Sequence, residues 1–280
     1  TLAAIGETIE ESAGLFNIGL EGILLLGALA GALGAEASGS ASIGLLSGMA
    51  AGALVGLLFG GISTTLRGSQ LITGVGINLF ALGFVALMLT ILGAPGFHSV
   101  SREIQVPLIP LGVGNLSPLV PVTIVLAFAV WWLLRRTQLG IWIRAAGDNP
   151  GAADVAGLPV NALRLGTAVA AGMLAGLAGA YLSVDWFGAV TKEITAGRGF
   201  IALAIVVFSG LNPLLALLGG FIFGLFDGLA TWVATYPGIK KIIPWQFVAM
   251  APYIVTLAVV AGGIGRVRFP KGLGVPYLRE

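Results

Sequence analysis

Long runs of apolar residues, separated by short polar segments, dominate the pattern along this chain. Seven runs have about the 20 residues that an α-helix needs to cross a hydrocarbon layer of ~30 Å. These runs cover residues 15–34, 42–65, 70–93, 118–134, 161–183, 213–235 and 244–264. A shorter run at residues 200–209 predicts either a tilted short span or a half-helix buried in protein. Residues 1–12 predict the end of one further helix, truncated at its start.

These runs indicate membrane helices rather than a transmembrane β-barrel. Barrel strands are about ten residues long and alternate between apolar and polar positions, whereas these runs are long, uniformly apolar and rich in Leu and Ala. The pattern therefore predicts an all-α polytopic membrane protein, a single domain over residues 1–280. It has about eight transmembrane helices in addition to the truncated first one.

Composition supports a membrane location and excludes several kinds of site. Only 9% of the residues are charged, against roughly 25% in a soluble domain, so most of the surface must face lipid or protein. The chain has no Cys and one His, which excludes thiolate and histidine-cluster metal sites. We expect His98 to be solvated in an outer loop. A net charge of +2 is too small to indicate a nucleic-acid partner.

The distribution of basic residues predicts the orientation, because cytoplasmic loops carry an excess of Lys and Arg. With the predicted spans, nine of the 14 basic residues fall on one side and five on the other. The larger group is Arg67, Arg135, Arg136, Arg144, Arg164, Arg266, Arg268, Lys271 and Arg279, and the smaller is Arg102, Lys192, Arg198, Lys240 and Lys241. The chain is therefore expected to lie in a bacterial plasma membrane with the loop 135–164 and the C-terminus on the cytoplasmic side. The loop 94–117 is expected on the outer side.

Glycines recur every four residues within three predicted spans. The three runs are Gly48, Gly52, Gly56 and Gly60; Gly220, Gly224 and Gly228; and Gly172 and Gly176. Residues four apart share one helix face, so each run forms a groove that admits a neighbouring helix. Ordinary membrane packing is the favoured interpretation, and a tight, mobile transporter interface is the alternative.

A short motif occurs twice and indicates an internal repeat. Residues 8–14 and residues 191–197 both read T-x-E-x-[ST]-A-G ahead of an apolar run, and the glycines at 56 and 60 are echoed at 224 and 228. The predicted orientation places the first motif inside and the second outside. The two halves would then be inverted relative to each other, as in many transporters. Chance matches between Gly-rich and Ala-rich segments are the alternative.

Polar residues inside the predicted spans are the candidates for a translocation path, because they are costly in hydrocarbon. Glu21 lies one helical turn from Asn17, and Asn78 and Asp227 lie in two further spans. Neither acidic residue has a basic partner at helical spacing. A structural hydrogen bond to a neighbouring helix is the alternative role. At the outer boundary, Asp185 and Trp186 are candidates for contact with a binding protein or for a helix interface.

The loop between the fourth and fifth full spans carries its own signals for a short helix. Asn149 is a good N-cap, Pro150 suits the first helical position, and Gly157 with Pro159 suits the end. The resulting helix of about two turns, ~10 Å long, is too short to be stable alone and needs a partner surface. A plain surface turn is the alternative.

This loop resembles the cytoplasmic loop of ABC importer permeases of the ribose, branched-chain amino acid and simple-sugar type. Residues 17–22 (NIGLEG), residues 197–204 (GRGFIALA) and Asn212-Pro213 resemble segments of the nucleoside and simple-sugar branch. In that family a short coupling helix sits in a cleft of the ATP-hydrolysing subunit. The resemblance assigns residues 143–160 to this coupling loop, with contacts from Arg144, Gly147, Asp148, Asn149, Pro150, Ala152, Ala153 and Gly157.

The resemblance also implies the partners. They are an ATP-binding subunit that uses ATP and magnesium, a second permease subunit that is often a different homologous chain, and an extracytoplasmic solute-binding protein or lipoprotein. This chain has no phosphate-binding G-x-x-x-x-G-K-[ST] loop, so it is not expected to bind a cofactor or hydrolyse ATP. A bulky charged residue at Ala153 is expected to abolish ATP-coupled uptake without unfolding the spans.

Two other functions remain open at this point. The inverted repeat and Glu21 also fit a secondary carrier driven by an ion gradient, and the glycine runs fit a membrane scaffold without transport. Because the predicted spans contain few charges, the path favours a small neutral solute, such as a nucleoside or a simple sugar, over a strongly charged one.

Overall fold

In the computed structural model, which describes residues 1–110, 115–235, 246–251, 253–254 and 269–277, the chain is predominantly helical. The helices are α1 Leu2–Ser12, α2 Leu20–Ser38, α3 Ala41–Gly60, α4 Gln70–Ile91, α5 Leu119–Arg136, α6 Gln138–Asp148, α7 Pro150–Val155, α8 Val160–Tyr181, α9 Arg198–Ser209 and α10 Pro213–Thr235. Short π-helical turns, Gly61–Thr65 and Leu182–Trp186, extend α3 and α8.

Six of the described helices are long and apolar enough to cross a membrane: α2, α3, α4, α5, α8 and α10, with α3 and α8 counted together with their π-helical turns. The predicted span at 15–34 begins later, because residues 15–19 form a non-helical segment before Leu20. The run at 200–209 is helix α9, whose 12 residues are about 18 Å long and cannot cross alone. The predicted span at 244–264 lies largely outside the described residues, so the count of eight helices is not confirmed.

The centre of the fold is a seam of small residues between α3 and α8, with α2 packed against both. Gly52 faces Gly172 and Gly176 so closely that a Cβ atom added at Gly176 would lie 2.7 Å from the Cα atom of Gly52. Gly56 meets the backbone of Ala168 in the same way. Two of the three glycine runs therefore pack against each other, and their close backbone approach holds the bundle together.

The glycine run on α10 has a different environment. A Cβ atom added at Gly224 or Gly228 would have no described atom within 4 Å, whereas one at Gly220 would meet Thr1. The echo between the glycines at 56 and 60 and those at 224 and 228 is therefore not a match in packing. The two repeated motifs also differ, because the first ends helix α1 and the second follows a β-strand. The structure does not confirm the inverted repeat.

The two ends of the bundle are built differently. At one end, here named the inner end, lie the α3–α4 turn, helices α6 and α7, and residues 269–277. At the outer end, strand β1 (Phe97–Ser99) pairs with β4 (Ala189–Thr191), and β2 (Ile109–Pro110) pairs with β3 (Asn115–Leu116). The all-α prediction missed these short strands.

His98 at the outer end was expected to be free in solvent, and this expectation was wrong. Its Nε2 atom lies 2.9 Å from the carboxylate of Glu36 at the end of α2. Strand β1 therefore connects the outer loop both to α2 and, through β4, to the segment that follows α8.

Candidate functional site

The inner loop is more helical than its sequence indicated. An 11-residue helix, α6, follows α5 almost directly and precedes the short helix α7. The side-chain oxygen of Thr137 accepts a hydrogen bond from the amide of Gly140 at 3.1 Å and caps the start of α6. A Thr cap ahead of an amphipathic segment is a signal that sequence reasoning could have used.

Helix α7 is the short helix that the sequence predicted. The Asn149 side chain accepts a hydrogen bond from the amide of Ala152 at 3.0 Å, with Pro150 at the first helical position. Gly157 follows in a left-handed conformation (φ +86°), which a residue with a side chain rarely adopts. Local chemistry therefore fixes both ends of this helix.

The orientation of α7 separates the predicted contact residues into two groups. Ala153 is buried and packs with Ala146 and Val160, so it faces the protein. Ala152 is exposed, and Val155 has 91% of its surface exposed. A charged residue at Ala153 would therefore disturb the loop itself and does not test a partner contact. Sequence reasoning missed Val155, although it is the one large apolar residue within α7.

The remaining predicted residues of the loop also divide by exposure. Arg144, Asp148 and Asn149 are exposed at the protein surface, and Pro150 is partly so. Gly147 is buried, and its carbonyl oxygen accepts a hydrogen bond from the amide of Gly272 at 2.9 Å. The loop thus presents a small polar surface around Val155 and is anchored at Gly147.

Asn17, predicted to lie on the translocation path, is fully buried. Its backbone amide donates to the carboxylate of Glu7 at 3.0 Å, and its side-chain amide donates to Glu10 at 3.4 Å. Its side-chain oxygen accepts from the amide of Gly19 at 2.9 Å. Asn17 therefore connects the end of α1 to the start of α2.

Asn78 and Glu21 also form hydrogen bonds with backbone groups of neighbouring segments. The Asn78 side chain accepts from the amide of Gly22 at 2.7 Å and donates to the carbonyl of Ile18 at 2.9 Å, so it joins α4 to α2. The Glu21 carboxylate accepts from the Thr195 hydroxyl at 2.6 Å and from two backbone amides, those of Gly197 at 2.8 Å and Gly199 at 2.7 Å.

The hydrogen bonds of Glu21 fix the N-terminus of α9. A carboxylate is favourable there because unpaired amides and the helix dipole both attract negative charge. Glu21 lies in the first turn of α2, and its three donors belong to the segment at the start of α9, so one side chain joins the two helices. This tertiary contact cannot be read from spacing along a single helix.

Asp227 is the predicted path residue that is open to its surroundings. Its carboxylate accepts a hydrogen bond from the Arg198 guanidinium at 2.8 Å, and its side chain is 51% exposed. The expectation that no partner lies at helical spacing holds, but α9 supplies one across the helix interface. The same guanidinium lies 5.5 Å from the centroid of the Phe187 ring.

The two candidate docking residues at the outer end have separate environments. Asp185 accepts a hydrogen bond from the hydroxyl of Ser117, which ties the outer loop to the end of α8. Trp186 is 55% exposed and packs its ring near those of Tyr181 and Phe187. Of the pair, Trp186 is the exposed residue.

The sequence analysis did not identify three carboxylates on α1 as candidate residues. Glu7, Glu10 and Glu11 are fully buried, and each has at least one oxygen without a hydrogen bond in the described part of the chain. Within the same part, no group of Asp, Glu or His is arranged to hold a metal ion. Glu7 and Glu10 accept hydrogen bonds from Asn17 and so connect α1 to the start of α2.

Comparison with known proteins places this architecture in a family. The family described as "Branched-chain amino acid transport system / permease component" matches residues 1–260. A nucleoside ABC transporter permease, NupC of Lactococcus lactis, is 32% identical, and a guanosine ABC transporter permease, NupQ of Bacillus subtilis, is 33% identical; each alignment covers 99% of this chain and 92% of the relative.

A putative glucose ABC transporter permease of Haloferax volcanii, TsgC13, is 30% identical over the whole of this chain and 94% of its own length. No solved structure matches. With six apolar helices long enough to span among the described residues, the chain is a multi-pass protein of the bacterial inner membrane. It belongs to the family of ABC transporter permease components that the branched-chain amino acid permeases define.

Proposed function

We propose that this permease imports a small neutral solute, a nucleoside or a simple sugar, which an extracytoplasmic binding protein or lipoprotein delivers. A separate ATP-binding subunit, using ATP and magnesium, drives transport, and a second permease chain completes the path. The observation that carries the proposal is the inner loop. It presents α7, a capped helix with one exposed apolar side chain, at the end predicted to face the cytoplasm.

Helix α7 has the properties of a part that a partner holds. Six residues form too short a helix to be stable in water without packing. Its inward face, at Ala153, packs on the permease, and its outward face carries Val155, 91% exposed. A cleft in the ATP-binding subunit would cover Val155 and Ala152. Displacement of that cleft during ATP binding would then move the loop.

The solute path runs along the face of α10 that carries Asp227. An ion pair within a span is costly in hydrocarbon, so the half-exposed pair of Asp227 and Arg198 faces water or the second permease chain. Asn17, Glu21 and Asn78 act on the path indirectly, because their hydrogen bonds set the positions of α2 and α9.

The chemistry along this face suits a neutral solute with hydroxyl groups. A carboxylate and a guanidinium that already neutralise each other can still exchange hydrogen bonds with hydroxyls, and Phe187 adds an apolar ring beside them. The curated relatives named above are permeases for nucleosides, guanosine and glucose. At the outer end, Trp186 and the region of Asp185 form the surface on which the binding protein docks.

Uptake into vesicles tests the proposal. The complete transporter, reconstituted with its ATP-binding subunit and binding protein, should take up radiolabelled guanosine or glucose only when ATP is supplied. Val155→Asn should weaken retention of the ATP-binding subunit and lower uptake about tenfold, since a lost apolar contact at an interface costs ~1–2 kcal/mol. The matched control is Leu66→Asn, at an exposed apolar residue of the α3–α4 turn.

Two results would contradict the proposal. Uptake that collapses when ion gradients are dissipated, while ATP is held constant, would identify a secondary carrier. Equal uptake in Val155→Asn and wild type would remove α7 as the contact with the ATP-binding subunit.

A further inference from the structure

A single buried arginine joins three separate parts of the chain at the inner end. Arg164, the fifth residue of α8, has only 1% of its surface exposed. Its guanidinium donates to four backbone carbonyls: Ala13 at 3.0 Å, Val275 at 2.9 Å, Gly272 at 3.3 Å and Ala146 at 3.4 Å. Ala13 directly follows α1, Ala146 lies in the last turn of α6, and the other two belong to the C-terminal segment 269–277.

These contacts leave the charge of Arg164 without an ion-pair partner among the described residues. A buried guanidinium is costly unless its donors are satisfied, and here backbone carbonyls satisfy them. If one of the three segments moved away, a donor would lose its acceptor inside the protein. Arg164 therefore favours arrangements in which the end of α1, the end of α6 and the C-terminal segment stay together.

Three glycines allow the segments to meet around Arg164. Gly14 has a left-handed backbone (φ +91°) and its carbonyl accepts from the amide of Gly274 at 3.1 Å. A Cβ atom added at Gly147 would lie 3.0 Å from the backbone of Gly14, and one added at Gly272 would lie 2.7 Å from the carbonyl oxygen of Gly147. We name Arg164 with Gly14, Gly147 and Gly272 the inner junction.

The inner junction lies between α7 and the helices that border the path. On one side, Asn149 begins α7 two residues after Gly147, and the Tyr277 hydroxyl donates to the Asp154 carboxylate at 2.9 Å. On the other side, α1 holds Asn17 through Glu7, and Asn17 leads into α2. The junction thus connects the loop to the α1–α2 turn. The chain itself joins Gly147 to α7, and hydrogen bonds from Arg164 join the end of α6 to the end of α1.

The hydrogen bonds continue from α2 to the path itself. Glu21, in the first turn of α2, binds the amides of Gly197 and Gly199 at the start of α9. Arg198, which lies between these two glycines, pairs with Asp227 on α10. A displacement of the loop can therefore reach the ion pair through a continuous series of packed backbone and side-chain contacts.

We propose that Arg164 is a positioning residue that transmits movement of α7 to the α1–α2 turn, and that the C-terminal segment 269–277 is a working part of this coupling assembly. The proposal rests on the proposed function, because it takes the ATP-binding subunit as the source of the movement. It goes beyond that function by assigning coupling to a residue and a segment outside the loop.

The test is the number of solute molecules transported per ATP hydrolysed by the reconstituted transporter. In Arg164→Gln the assembled complex should keep binding-protein-stimulated ATP hydrolysis within about twofold, while uptake falls about fivefold or more, corresponding to a coupling change of ~1 kcal/mol. Arg164→Lys, which retains a charge and three donors, should give an intermediate ratio. Arg136→Gln, at an exposed basic residue at the end of α5, is the matched control and should keep the wild-type ratio.

A second variant covers the case in which Arg164→Gln does not assemble. Gly272→Ala keeps the arginine side chain, but its added Cβ atom would lie 2.7 Å from the carbonyl oxygen of Gly147 and 3.1 Å from Nη2 of Arg164. It should therefore displace the C-terminal segment from the junction and also lower the transport ratio. Wild-type ratios in assembled Arg164→Gln and Gly272→Ala complexes, or uptake and hydrolysis that fall in proportion at equal assembly, would overturn the proposal. Absence of ATP-driven uptake in the wild-type complex would instead contradict the proposed function.

Discussion

Two helices with the same glycine spacing behave differently in this fold. Along α3, Gly52 and Gly56 press against α8 so closely that added Cβ atoms would collide with backbone. Along α10, Cβ atoms added at Gly224 and Gly228 would have no described atom within 4 Å. A four-residue glycine period therefore establishes a groove on a helix and leaves open what occupies it. The partner is decided by tertiary arrangement.

The contrast separates a fixed region from a region available for function. The seam between α3 and α8, with α2 packed against it, is built from backbone contacts that leave no room for added side-chain atoms. Helices α2 and α8 have buried residues along their whole length. The α10 face instead carries Asp227, which is 51% exposed and pairs with the partly buried Arg198 of α9. We expect substitutions in the seam to affect folding and substitutions on the α10 face to affect transport.

The largest effect is expected in the seam. Gly176→Leu would place a side chain where Gly48 and Gly52 contribute backbone atoms, forcing α3 and α8 apart. The cost should exceed ~3 kcal/mol, the upper part of the range for overpacked cores. The measurement is the yield of monodisperse protein in detergent and its thermal unfolding temperature. Normal yield and stability would show that the seam is not the fixed region.

The second effect is expected where the two regions join. Glu21→Gln removes the charge and one acceptor from the three donors at the start of α9. Hydrogen bonds to a charged group contribute ~1.5–3 kcal/mol, so stability should fall by about 2 kcal/mol and uptake with it. Glu36→Gln, at the outer end, is the control. Thermal unfolding and uptake are measured on both variants. If Glu21→Gln and Glu36→Gln behave alike, the contact between α2 and α9 has no special role in stability or transport.

On the α10 face, Asp227→Asn should separate transport from stability. The pair is half-exposed, so its loss should change stability by less than ~1 kcal/mol. Uptake should fall about tenfold, equivalent to ~1.4 kcal/mol on the transport barrier. Asp227→Glu keeps the charge and should retain most of the uptake. Unchanged uptake in Asp227→Asn at equal protein level would place the path elsewhere.

The smallest effect is expected at Gly224. Gly224→Ala adds a methyl group with no described neighbour and raises helix propensity by roughly 1 kcal/mol, so stability should stay level or rise slightly. Gly176→Ala is the matched substitution in the seam and should destabilise, since its Cβ atom would lie 2.7 Å from Gly52. Equal unfolding temperatures for the two variants would remove the contrast between the helices.

Features with local causes were predictable from the sequence. Apolar runs gave the positions of α3, α4, α5, α8 and α10, and the cap residues Asn149, Pro150 and Gly157 gave α7. In each case the information lies within a few residues of the feature, so propensity and capping suffice. Helix α6 had such a signal in Thr137, and it was overlooked.

Features with long-range causes were not predictable. Glu21 finds its donors more than 170 residues away, and Arg164 finds the carbonyls of Ala13 and Val275 at separations of 151 and 111 residues. The inward orientation of Ala153 depends on Ala146 and Val160, which belong to other helices. A single sequence contains no direct record of such contacts, so the sequence identified Asn17, Glu21 and Asn78 as polar residues within predicted spans but not the groups that they bind.

The central claim is that α7 lies on the cytoplasmic side and is held by the ATP-binding subunit. The chain contains no Cys, so Val155→Cys introduces a unique thiol on the outward face of α7. In the assembled transporter, a short bifunctional thiol reagent should crosslink residue 155 to the ATP-binding subunit, and ATP should change the yield. Labelling of residue 155 by a membrane-impermeant thiol reagent added outside intact cells, with no crosslink to that subunit, would contradict the account.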